Sequence, residues 1–346
     1  MAGEQISTQG PGQSGHGSTA GGAGGPAGDG EIVTTSRAGI GAQRVAFVIL
    51  LAIFVLAPFL GVYPVFLMKI MCFALFACAF NLLIGFGGLL SFGHAMFLGT
   101  AGYVTAHAAK VWGLSPELAI LAGTACSTAL GWVAGLLAIR RQGIYFAMIT
   151  LALAQMVFFF YLQAPFTGGE DGIQSVPRGR LFGLFDLSQT MTMYGFVCVV
   201  FFAAFLLIWR IVQSPFGQVL KAIRENEPRA TSLGFDTDRF KLMAFVLSAG
   251  LAGLAGATKS LVFQLASLTD VHWSMSGEVV LMTLLGGMGT LFGPVAGAAI
   301  IISMQNYLAQ FGAWVTVTQG AIFVICVLAF RRGVIGEIAN LIKRPL

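Results

Sequence analysis

Long apolar runs, divided by short charged intervals, organise this chain. Residues 45–68 contain no Asp, Glu, Lys or Arg, and neither do 70–109, 118–139, 142–169, 187–209, 242–258 or 279–330. About 20 apolar residues cross the roughly 30 Å hydrocarbon core of a bilayer. Every run except the seventeen-residue 242–258 exceeds that length, and several suffice for two crossings. Helices are expected, because lipid cannot satisfy an open backbone. A membrane β-barrel would alternate apolar and polar positions, which these runs do not. The pattern predicts an all-α integral membrane protein.

Charge then sets the topology. Cytoplasmic loops collect Lys and Arg. The basic clusters are Arg37/Arg44, Arg140/Arg141, the interval from Lys221 to Lys241, and Arg331/Arg332 with Lys343/Arg344. Placing all of them on one side requires an even number of crossings between successive clusters. Segments at about 45–66, 70–90, 93–110 and 117–139 fill the first interval, and 143–162 and 190–210 the second. One segment at about 242–265 and three within 277–330 fill the last, the first of these (277–288) short or broken at Gly286-Gly287-Met288-Gly289. This gives about ten transmembrane helices with N and C termini cytoplasmic, in a membrane domain spanning 45–335 followed by a cytoplasmic end at 336–346. Of the 19 basic residues, 14 then lie inside and four outside (Lys69, Lys110, Arg178, Arg180), with Lys259 near the outer end of a span.

Composition adds little to this frame. The chain is 57% hydrophobic and 10% charged, far below the usual quarter for soluble domains. Its net charge of +5 fits cytoplasmic loops and not a nucleic-acid surface. The five cysteines are scattered within apolar runs, with neither metal-ligand spacing nor a disulfide framework. Residues 1–38 form a separate region, expected to be a disordered glycine-rich tail: the first thirty residues hold 11 glycines and no apolar period.

Three polar stretches stand out. The loop at about 213–240 begins with Ser214, a natural N-cap, and Pro215 at the first helical position. A helix from there carries Lys221, Arg224 and Glu225, is interrupted by Pro228, and leads to a second turn closed at Gly234. This is either an amphipathic connector or a docking element. The external loop at about 163–189 contains Thr167, Gly168, Gly169, Glu170 and Asp171, either a solvated glycine turn or a backbone-rich outer mouth. Residues 81–102 place Asn81, Gly87, Ser91 and His94 at membrane depth, where irregular backbone is tolerated if buried or lining a cavity. A lone histidine such as His94 is more often a hydrogen-bonded packing residue than a ligand or proton relay.

Two glycine patterns mislead. Residues 253–260 approach a phosphate-binding loop, but Thr258 stands where the second glycine belongs and no soluble strand precedes it. Residues 287–293 have the wrong spacing for a dinucleotide site. Gly131/Gly135 and Gly293/Gly297 read instead as small-residue faces for close helix packing. No catalytic or metal constellation appears, and no cofactor is expected.

Taken together, NLLIGFGGLLSFGHAMFLGTAGY (81–103), GIYFAMITLALAQMVF (143–158), TGGEDGI (167–173), the stretch 214–257 and LLGGMGTLFGPVAGA (284–298) resemble, in order, branched-chain amino acid ABC transporter permeases of the LivM type. The similarity covers about 45–335. It implies a permease subunit of the bacterial inner membrane that pairs with a second permease of the LivH type, two ATP-binding subunits and a periplasmic solute-binding protein. ATP would be hydrolysed on the partner chains, so this subunit is not an enzyme. The resemblance also implies that the cytoplasmic loop docks into the ATPase through Pro215, Gly217, Lys221, Ala222, Arg224, Glu225 and Gly234; Pro228-Arg229 departs from the family's pattern of small residues. Branched-chain amino acids are the expected solutes, with urea or short amides as an alternative within the class. A secondary transporter would call for fixed acids or bases near the midplane, and a membrane scaffold would leave the glycine-broken spans without purpose.

Overall fold

The computed structural model describes residues 31–308 except 142, 182 and 184, together with a few isolated positions between 317 and 333; of 31–42 it describes only the helical backbone. The described chain is mainly helical: α1 (Glu31–Leu56), α2 (Pro64–Asn81, continued by a π-helical turn Leu82–Phe86), α3 (His94–Lys110), α4 (Pro116–Ala138), α5 (Ile144–Gln163), α6 (Thr190–Gln213), α7 (Pro215–Glu225), α8 (Glu227–Ser232), α9 (Thr237–Phe263), α10 (Trp273–Gly286) and α11 (Gly293–Leu308). Five are long and apolar enough to cross a membrane: α2 with its π turn, α4, α5, α6 and α9. α10 is short and ends at the predicted glycine break. Helices thus occur at nine of the ten predicted segments, and the remaining one falls within 309–330, where only isolated positions are described. α1 begins at Glu31, inside the stretch assigned by composition to the tail.

One boundary differs from expectation. Lys69 was expected in a loop between the first two spans, but the turn lies earlier, at 57–63. Gly61 adopts φ +85° there, and Pro64 opens α2 at a position that needs no N–H. Lys69 therefore stands within α2.

Apolar all round, α2 belongs at the centre of a bundle. It is buried over nearly its whole length, whereas α4 and α5 bury only about a third of theirs and present Leu121, Trp132, Leu136, Met148 and Phe159 outward. Around α2 pack α6, α9, α10 and α11, and α9 also packs against α3 and α4. Glycine permits that last contact. A Cβ on Gly256 would lie 1.9 Å from the Leu98 carbonyl oxygen, and one on Gly131 2.3 Å from the Ala249 Cβ. The false phosphate loop at 253–260 is thus a packing face of α9. Gly297 approaches the Met282 carbonyl in the same way, closing α11 on α10.

The bundle has two distinct ends. At one, the π turn of α2, the start of α3, the α10–α11 break and α7–α8 gather. At the other, Lys110 at the end of α3 donates to the Gln174 carbonyl (2.8 Å), Ile173–Gln174 pairs antiparallel with Leu265–Ala266, and Arg178 caps α9 through the Val262 carbonyl (2.7 Å).

Candidate functional site

The site at the α7 end starts with a tight elbow. Ser214 Oγ accepts from the Gly217 N–H (3.4 Å) and donates to the Ile211 carbonyl (2.6 Å), with Pro215 at the first helical position. A Cβ on Gly217 would lie 2.3 Å from the Val212 carbonyl oxygen, so α6 and α7 meet this closely only with glycine there. α7 is amphipathic: Leu220 and Ile223 are buried, while Lys221 and Arg224 flank them. It ends at Glu225. Asn226 Oδ1 then caps α8 by accepting from the Arg229 N–H (3.1 Å), and Pro228 sits in the first turn of α8. Gly234, at φ +89°, closes α8 in a Schellman arrangement, with Phe235 N–H donating to Ala230 (3.2 Å) and Gly234 N–H to Thr231 (2.9 Å). An ion pair of Lys241 with Glu227 and stacking of Phe216 on Phe240 (5.6 Å between centroids) fasten the loop to α9.

α7 rests on the end of α2. The last turn of α2 is wider than an α-helix. Gly88 N–H donates to Ile84 and Leu89 N–H to Leu83, both at 3.2 Å. In an ordinary Schellman ending these acceptors would lie one residue later, and Gly88 would bond Gly85. The wider register leaves the Gly85 carbonyl for Arg224, whose Nη1 donates to it. Lys221 stands over the Phe86 ring (5.5 Å to the centroid), and Leu220 covers Gly87. One turn back, Asn81 joins the second break: its Nδ2 donates to the Thr290 carbonyl (2.8 Å), and its Oδ1 accepts from the Gly289 N–H (3.0 Å). A cavity of about 410 Å³ lies where these parts meet, lined by Gly85, Phe86, Lys221, Arg224, Glu225 and Gly289. The structure thus brings Asn81, Gly87 and the α7 residues into one junction. Ala222 lies on α7, and Gly234 is set apart at the end of α8.

Beyond this junction, Ser91 lies in the break between α2 and α3, and His94 opens α3. Ser91 Oγ accepts from the Gly93 N–H (3.2 Å). His94 is fully buried, its Nε2 2.7 Å from Ser248 Oγ, which donates on to the Ala79 carbonyl (2.5 Å). Phe80, Phe97 and Phe245 meet the imidazole edge to face, with centroids 5.0, 5.5 and 6.2 Å away. This is a packing environment that ties α2, α3 and α9 together.

At the opposite end, Thr167 is buried and its hydroxyl caps α5 through the Tyr161 and Ala164 carbonyls (2.6 and 2.7 Å). Gly168 and Gly169 take positive φ, and Glu170 and Asp171 are exposed. Beside this loop the structure assembles a group that sequence reasoning did not connect. Lys259 pairs with Asp270 and stands 5.2 Å from the Phe73 centroid, and Glu278 accepts from Gln305. Lys69 lies one turn before Phe73 on α2, on the same side of the helix, and α10, which carries Glu278, packs against α2. In the sequence each of Lys69, Lys259 and Glu278 borders an apolar run, but nothing there pairs them.

Residues 64–328 match the family model described as the permease component of branched-chain amino acid transport systems. The high-affinity branched-chain amino acid transport system permease proteins LivM of Salmonella typhimurium and Escherichia coli are each 26% identical over 282 residues, covering 75% of this chain and 66% of theirs. The chain thus matches just under two thirds of those relatives' length. Over 118 residues it is 30% identical to the autoinducer 2 import system permease protein LsrC of Salmonella paratyphi B, covering 32% of this chain and 34% of that one. No solved structure matches the chain.

Proposed function

The chain belongs to the family of branched-chain amino acid transport permease components, and on that premise we propose that it is one membrane subunit of an ATP-driven importer of branched-chain or closely related amino acids. Its partners are a second permease of the LivH type, two ATP-binding subunits on the α7 side, and a solute-binding protein at the opposite end. On this reading the α7 end and both termini lie in the cytoplasm of a bacterium and the chain crosses its inner membrane about ten times; the clustering of Lys and Arg supports that orientation.

The observation that carries this reading is the double connection of α7. Arg224 and Lys221 hold the end of α2, and Asn81 on α2 holds the α10–α11 break. A partner that moves α7 therefore moves two interrupted helices together. On the α2 and α10–α11 side these contacts fall on backbone carbonyls, an N–H and an aromatic face, groups that can exchange partners as the helices shift. Such a lever converts closure of ATPase subunits into alternating access. Thr167 to Asp171 would then form part of the surface that meets the binding protein.

Co-purification in mild detergent tests this. The expected result is a complex with two ATPases and a second permease, whose ATP hydrolysis rises when the binding protein is loaded with leucine. A lone chain, under conditions that keep a control importer intact, would refute it. The similarity to autoinducer 2 permeases gives the assay a second solute class: stimulation by a sugar-like solute and not by leucine would retain the importer and replace its substrate.

A further inference from the structure

Four neighbouring helices each contribute a polar side chain at the same level of the bundle, at the end opposite α7. Lys69 is five residues into α2, Lys259 four residues before the end of α9 and Glu278 five residues into α10, and Gln305 on α11 donates to Glu278. At 1.5 Å per residue the first three lie about 6–8 Å inside their helix ends. α2 packs against the other three helices, so the side chains form a group and not a coincidence of numbering. All four are half-buried.

Charge is distributed unevenly within the group. Lys259 is satisfied by Asp270, with side chains only 14% and 13% exposed. Lys69 makes no hydrogen bond or ion pair among the described residues, and Glu278 bonds only the neutral amide of Gln305. The two stand on packed helices, α2 and α10, and form no ion pair with each other. Ionisable groups at membrane depth are costly and are usually retained for function. An ammonium and a carboxylate left apart in such a place have the complementary charge pattern of an α-amino acid, whose carboxylate and ammonium would close the gap.

We propose that Lys69 and Glu278 form a receiving station for a zwitterionic α-amino acid at the outer end of the translocation path, Lys69 meeting the carboxylate and Glu278 the ammonium. This rests on the importer reading above and adds a site to it. The Lys259–Asp270 pair beside the station is already neutralised and does not compete for solute. With one charge-assisted contact at each end, the solute enters and is still able to leave, as conduction requires.

The test uses the complete importer in proteoliposomes, with leucine-loaded binding protein. Lys69→Gln and Glu278→Gln are expected to assemble with the ATPases and the second permease and to import leucine at least tenfold more slowly. Import within twofold of wild type in assembled complexes overturns the proposal. Should either neutral variant fail to assemble, Glu278→Asp, which retains the charge but withdraws it by one methylene, is expected to raise the KM for import; an unchanged KM overturns the proposal equally. A wild-type complex that imports no amino acid removes the importer reading itself, and the station with it. Normal wild-type import with indifferent variants removes the station alone.

Discussion

The two ends of the bundle solve the problem of polar groups at membrane depth in opposite ways. At the α7 end the joint between helices is mostly backbone: two glycine-rich breaks, one amide side chain and one guanidinium donating to a carbonyl, with the Lys241–Glu227 ion pair fastening the loop beside it. At the other end it is formal charge, with one closed ion pair and one open pair of opposite sign. Dipoles at a joint cost little when the joint shifts, because each lost bond can be remade with a neighbour. Charges hold fixed positions and recognise a complementary ion. The difference teaches that a hinge and a recognition surface, although built on the same helices, draw on different chemistry.

The sharpest way to break the comparison is to open the closed pair. Lys259→Met leaves Asp270 uncompensated in a mostly buried site, which is expected to cost about 3–5 kcal/mol and to lower the thermal midpoint in detergent strongly. Lys259→Met with Asp270→Leu should recover most of that loss. A single variant as mild as the double one would mean that this end is not electrostatically organised. Next, Arg224→Ala removes a charge-assisted bond of about 1.5–3 kcal/mol. Leucine uptake per ATP hydrolysed should fall severalfold while hydrolysis continues; an unchanged ratio would deny the junction its role as a lever. Asn81→Leu strands the Gly289 N–H and Thr290 carbonyl at about 1–3 kcal/mol, detectable as faster hydrogen exchange confined to 286–293. Last, Ser214→Ala removes the α7 cap at about 1 kcal/mol, a small shift in midpoint that should leave the outer end untouched.

Local chemistry was the most legible part of this chain. Ser214 and Pro215 at the start of α7, Gly234 after α8, and the break at 286–289 follow from capping and backbone rules that act within a few residues. The Gly131/Gly135 and Gly293/Gly297 faces were legible as packing, and the structure adds their partners. The wider turn at the end of α2 was not legible, because Leu82–Phe86 has no composition that separates it from an ordinary helix. Lys69 is instructive: a charge between apolar runs marks a loop by pattern, whereas Gly61 and Pro64 make the turn. The grouping of Lys69, Lys259 and Glu278 depends on which helices are neighbours. One sequence does not encode that in any local pattern.

The wide turn Leu82–Phe86 also amounts to one surplus residue in the count of α2. Deleting Ile84 would let the helix return to 3.6 residues per turn and would rotate everything after it by about 100°. The segment 87–93 would then face another direction, and Arg224 would lose its acceptor without any change to α7. The connection between the moving loop and the buried helix is thus keyed to a phase of winding, and a deletion that leaves hydrophobicity and helix content intact should silence it.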